Sequence, residues 1–162
     1  MTTVDGSAGA PELAAELRRI PALFQAAVAR ATLDELRKRP AAGEWSAVEV
    51  LGHMVDKMTV WRGRVLLIAA QDDPAIAGFD QNARVLEMRY QEADAGALTA
   101  RLAAACEAFA ATVEPLAPAA LRREGIHSEM GRITARDCVT VPINAARAHL
   151  AQLEATLGIA QT

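Results

Sequence analysis

The residues in this sequence best placed to do chemistry are His53 and His149. A neutral imidazole can accept a proton, donate one, or ligate a metal, and its charge switches near physiological pH. Taken singly, each reads as a core or boundary residue of a helix. Their neighbours add chemical interest. Glu49 lies one turn before His53, with Asp56 and Lys57 about one turn after it. His149 adjoins the apolar Leu150 and has Gln152 three residues on. Helix bundles build their sites from inward side chains on facing helices, so the two histidines are expected to meet in a core.

Other candidates carry less. His127 falls in a connection and reads as a surface loop residue. Cys106 and Cys138 form no CxxC pair and sit among apolar neighbours, the pattern of reduced core thiols in a cytoplasmic protein. Trp45 reads as a staple at a helix entry, Tyr90 as a packing residue, and Arg136 and Arg147 as solvated helix-surface cations. No serine, histidine and acid are spaced as a hydrolase triad, and no glycine loop is built to cradle phosphate. No catalytic residue is therefore assigned.

The elements that must hold the histidines follow from apolar periodicity. Leu13, Leu17, Ile20, Phe24 and Val28 mark a first helix from Pro11 to about Arg30. Thr32 with Glu35 caps a short helix through Lys38, and Pro40 and Gly43 force a loop. Ser46 and Glu49 form a capping box opening the second long helix, which carries His53 and runs to Ala70. Residues 74–93 are less periodic and read as a long crossover, with a helical stretch at Asn82–Arg89. A third helix spans Asp94–Val113, with Leu98, Leu102, Cys106, Phe109 and Val113 inward. A fourth is capped by Thr134 with Asp137 and stopped at Gly158; its stripe is Val139, Ile143, Ala146, Leu150, Leu153 and Leu157. No strand-like alternation suggests a sheet. The expectation is an all-α fold: one four-helix bundle over residues 11–160, with a long crossover between helices two and three, behind a flexible leader at residues 1–10.

Composition agrees and excludes several roles. The chain has 162 residues, 52% of them hydrophobic but only 4% aromatic, and 37 are alanine. Alanine is the strongest helix former, so a close-packed helical interior is expected. The net charge of −3, with both signs interspersed, is unlike the basic face that nucleic acid requires. The longest wholly apolar run, Val65–Ala70, is far short of a membrane span, and residues 1–10 lack the basic and apolar regions of a signal peptide. A cytoplasmic protein with a small-molecule substrate is expected. Alanine-rich faces point to a homodimer.

The string from Glu44 to Asp56, with Trp45, Ser46, Glu49, His53 and Asp56 at fixed intervals, resembles the start of the second helix in DinB-like (YfiT-type) four-helix proteins. There W-S-x-x-E-x-x-x-H-x-x-D supplies the first metal-binding histidine. His149-Leu150-Ala151-Gln152-Leu153 is similar to that family's closing H-L-x-Q-[IL] segment, and Gly131-Arg132-Ile133-Thr134 to its entry into the last helix. Asp80 resembles an acidic position in the crossover. The resemblance implies a homodimeric metalloprotein with a three-histidine site, one ligand from the second helix and two from an H-x-x-x-H on the fourth. Such a site holds zinc or nickel and, in some members, activates a low-molecular-weight thiol for transfer or isomerisation.

The sequence departs from that pattern at one place. Four residues before His149 stands Ala145, which cannot ligate a metal. Asn144 beside it points about 100° away around the helix, and a neutral amide is a poor ligand for such ions. Pro142, one turn earlier still, removes a hydrogen bond to the carbonyl of Cys138 and is expected to bend the helix. Glu49, Asp56 and His127 are the residues left to complete a set begun by His53 and His149. Two readings follow. One is a metal- and thiol-dependent transferase or isomerase with a degenerate site. The other is a metal-free small-molecule-binding or dimeric interaction module on the same bundle.

Overall fold

The computed structural model describes residues 8–159. Most of the expected leader lies outside that range. The first helix, α1 (Ala10–Val28), carries Pro11 in its first turn, where a missing N–H costs nothing. Then come α2 (Leu33–Arg37), α3 (Ala47–Ala70), β1 (Ala75–Ile76) and α4 (Gln81–Glu87). A 3₁₀ turn at Tyr90–Glu92 leads into α5 (Ala95–Val113), followed by α6 (Pro118–Leu121), β2 (Glu124–His127), β3 (Gly131–Thr134) and α7 (Ala135–Thr156).

The helix starts follow the predicted chemistry. Thr32, Ser46 and Thr134 each close a reciprocal capping box, with Glu35, Glu49 and Asp137 respectively. Asp94 caps α5 by accepting from the Ala97 amide. At the other end of α7, Gly158 takes a φ of +66°, the left-handed conformation that ends a helix without a Cβ clash. Pro21 and Pro142 lie inside continuous helices.

The four long helices pack so that α1 and α3 each touch both α5 and α7. Side-chain contacts give their directions. Arg136 at the start of α7 bonds the carbonyl of Ala8, just before α1, so these two helices run parallel. His53 near the start of α3 meets His149 near the end of α7, so that pair is antiparallel. Ser46, capping α3, bonds Gln91 just ahead of α5, so α3 and α5 run the same way. The segment 71–94 carries the chain back along α3 to reach α5.

The core lies along the predicted stripes. Leu13, Leu17, Ile20 and Phe24 of α1, Leu51, Met58 and Val65 of α3, Leu98, Leu102 and Phe109 of α5, and Val139, Ile143 and Leu153 of α7 are all buried. Leu150 and Leu157 are only half-buried, although Leu153 between them is fully buried. By length and composition α5 alone among the described helices could cross a membrane, yet its large side chains face this core.

The sheet is a correction to the sequence reading. β1 pairs parallel with β2, and β2 antiparallel with β3, in a small three-stranded sheet at the far end of α3. Its strands have two, four and four residues, too short to express a period-two pattern above the helical background. The hairpin positions Thr134, and with it the start of α7.

Candidate functional site

His53 is carried in the second turn of α3, just after the Ser46–Glu49 box fixes where that helix begins. It is 1% exposed. Across the interface, α7 brings His149 to it, with Nε2 to Nε2 at 3.2 Å and ring centroids 4.6 Å apart at 68°. Trp45 closes over the pair, its ring 4.8 Å from His53 and 6.3 Å from His149. It therefore does more than staple the helix entry. The meeting of the two histidines comes from a face argument on each helix; the Trp45 roof depends on the loop before α3, for which the sequence offered no spacing rule.

Gln152 orients His149. Its Oε1 lies 3.0 Å from Nδ1, one turn on along the same helix, and since an amide oxygen only accepts, this contact places the proton on Nδ1. The Nε2 lone pair of His149 then faces His53, as second-partner hydrogen bonds do for metal-binding imidazoles. On the opposite side, Lys57 places Nζ 3.5 Å from His53 Nε2. Among the described residues no carboxylate lies within ion-pair distance of Lys57.

The electrostatics of this cluster favour neutral imidazoles. Burial, reinforced by His149 and Lys57, pushes His53 down to about 3. Burial also lowers His149, with Lys57 adding to it and Gln152 opposing. Lys57 itself is lowered by burial and by the charge of Arg64.

His149 opens the pair to solvent. It lines a cleft of about 440 Å³ together with Gly43, Glu44, Trp45, Gln81, Asn82 and Gln152. The wall is mainly amide and aromatic, a surface able to orient a small polar molecule.

The spacing of the two imidazoles suits one shared ion, since zinc–nitrogen bonds of about 2.0–2.1 Å span such a gap at a near-tetrahedral angle. A third donor is another matter. Ala145 stands where the second α7 histidine is expected. Glu49, 2% exposed, is held by Arg39 Nε at 2.9 Å and by the Ser46 amide at 2.9 Å. Burial raises its carboxyl, but these bonds from Arg39 and Ser46 win and hold it below the usual range. Asp56 accepts from the Tyr90 hydroxyl at 2.9 Å and pairs with Arg84 at 3.4 Å. His127 is not a surface loop residue. It is buried at the end of β2, stacked on Trp61 at 6.5 Å, and accepts the Glu129 and Met130 amides at Nδ1. Trp61 is eight positions along α3 from His53, about 12 Å of helix rise. So none of the three residues left to complete the set does so, and among the described residues no three His, Cys, Asp or Glu side chains cluster as a metal site. The Lys57 ammonium adds repulsion. At about 4 Å and an effective dielectric of 20, two unit charges cost about 4 kcal/mol, and a dication about twice that. The residues present do not fit a tightly held metal ion.

Other sequence candidates lie apart. Cys106 and Cys138 are free, buried, and each pushed up to about 12 by burial, so neither offers a thiolate. Asp80 caps α4 through the Asn82 and Ala83 amides. Arg136 is spent on the Ala8 carbonyl. Arg147 buries Nε and Nη2 without a hydrogen-bond partner among the described residues, so it is not the solvated cation expected.

Comparison with known proteins agrees with the fold. The profile of the DinB superfamily matches residues 16–153, and the chain belongs to that family. No curated protein matches it. Among solved structures it is similar to YfiT from Bacillus subtilis, described as a probable metal-dependent hydrolase with an unusual four-helix bundle topology. The two superpose with a TM-score of 0.84 at 20% identity, over 98% of this chain and 95% of that one. At that identity the likeness speaks for the fold.

Proposed function

We propose that this DinB-family chain is a small-molecule-binding protein that works without a resident metal, taking its ligand in the cleft over His53 and His149. The observation that carries this reading is the commitment of every candidate third donor elsewhere. Glu49, Asp56 and His127 are all engaged, and Ala145 offers nothing. What remains is a pair of neutral imidazoles under Trp45, His53 buried and His149 half-buried, open on the His149 side and lined by Gln81, Asn82 and Gln152. Such a surface binds a polar ligand by hydrogen bonds and stacking.

Tryptophan fluorescence tests it, because the sequence has only two tryptophans and Trp45 alone borders the cleft. Titration with a panel of fragment-sized carboxylic acids and amides should give saturable quenching that is lost in His149→Ala. Absence of saturable binding across the panel, or binding unchanged in that variant, would count against the cleft.

A second reading keeps the metal: a zinc- or nickel-dependent enzyme using a low-molecular-weight thiol as transferase or isomerase. The 3.2 Å separation of the two Nε2 atoms and the Gln152 contact favour it, as does the description of YfiT as probably metal-dependent. Metal analysis of untagged protein separates the two. Near-stoichiometric zinc or nickel, lost in His53→Ala, would establish the second reading over the first.

A further inference from the structure

We propose that Lys57 is the resident cation of the His53–His149 site, its ammonium taking the electrostatic place that a divalent ion would take between the two imidazoles. The inference rests on the metal-free reading above and adds a cause for it.

The argument starts from helix geometry. Lys57 is four residues after His53 on α3, and Ala145 four before His149 on α7, so each shares a face with its histidine. With α3 and α7 antiparallel, both positions lie toward the same end of the pair. One helix lacks a donor there and the other supplies a positive charge. The Gln152 contact turns the lone pair of His149 Nε2 inward, toward His53 Nε2 at 3.2 Å. That contact is a hydrogen bond when His53 Nε2 carries the ring proton and two facing lone pairs when Nδ1 does. A positive group beside the shared edge stabilises the second arrangement, and Lys57 Nζ is 3.5 Å from His53 Nε2. Among the described residues no acid within ion-pair distance competes for the ammonium. Arg64, whose charge acts on Lys57, lies over Trp61, with its Nη2 donating to the Ala77 carbonyl at 3.0 Å.

If the ammonium fills the cation's role, the missing histidine is not the only barrier to metal. Returning it should not be enough while Lys57 stays. The experiment compares zinc binding, by competition against a chromogenic chelator, in wild type, Ala145→His, Lys57→Met and the double variant, with circular dichroism melts confirming each fold. Methionine keeps most of the length of the lysine stem without its charge and N–H donors, and Lys57→Leu, which should behave alike, excludes the thioether as a new ligand. The double variant should bind one zinc at least 100-fold more tightly than Ala145→His, while wild type binds none stoichiometrically. Equal affinity in Ala145→His and the double variant would overturn the role of Lys57 while leaving the metal-free reading intact. Stoichiometric zinc in wild type would overturn both. A folded double variant that gains no affinity would likewise overturn the inference, since the ammonium would then not stand in a cation's place.

Discussion

The Tyr90 hydroxyl donates to Asp56 Oδ2 at 2.9 Å from a ring pressed against the backbone of Gly52. A Cβ at Gly52 would collide with three atoms of that ring. This contact fixes the crossover against α3 at the residue next to His53, and makes a glycine inside the second turn of a helix intelligible.

Gly52→Ala should therefore destabilise the protein, although alanine is the better helix former by about 1 kcal/mol. Overpacking of this kind costs about 1–3 kcal/mol, so a net loss of up to about 2 kcal/mol is expected in urea unfolding. Tyr90→Phe keeps the ring and should lose about 1 kcal/mol, the worth of one hydrogen bond. A stabilised Gly52→Ala would show that the Tyr90 ring is not held in place.

Acid should weaken the fold through the histidine pair. His53 is pushed down to about 3 in the folded chain, from 6.5 unfolded. Between those values the unfolded state binds the proton and the folded state does not, so this contribution is complete above about 6.5 and is lost as pH falls toward 3. His149 shifts in the same direction. Urea midpoints should drop from pH 7 to pH 5, and drop less in His53→Gln. Identical pH profiles for the two proteins would contradict the burial argument.

Arg39 is half-exposed, yet its partner Glu49 is 2% exposed. Arg39→Ala leaves a buried carboxylate with only Ser46, and a loss of about 1–3 kcal/mol is expected at pH 7. Protonating Glu49 removes the unpaired charge, so the gap from wild type should narrow in acid. A gap independent of pH would mean that the pair contributes packing alone.

Neither cysteine should react with a thiol reagent such as Ellman's while the chain is folded. Both are buried and held as thiols, so labelling should follow global unfolding. Fast labelling of Cys138 in native buffer would reveal a local opening at the start of α7.

The sequence made the helices legible because their signals are local. Ser46–Glu49 and Thr134–Asp137 are spacing rules, and the stripe Leu98, Leu102, Cys106, Phe109 and Val113 is a period. His53 and His149 could be matched because each falls on or beside an inward face. The rest depends on long-range geometry. The four-residue spacing puts Lys57 on the face of His53, but nothing near it in sequence shows that no acid pairs with its ammonium there. His127 read as a loop residue because four-residue strands leave no period, and its burial comes from packing on Trp61. Glu49 and Asp56 looked free to ligate; their partners Arg39, Arg84 and Tyr90 are ten to thirty-four residues away.

The antiparallel pairing of α3 and α7 has a dynamic consequence. His53 stands two turns inside a helix start closed by a capping box, whereas His149 stands two turns from a helix end sealed only by backbone. Helices fray from their ends, and the last turns of α7 are only half-covered. When the bundle breathes, the His149 wall should yield first while the His53 wall stays. Amide exchange along α7 should therefore quicken toward Thr156, so that the chamber has one fixed jamb and one hinged leaf.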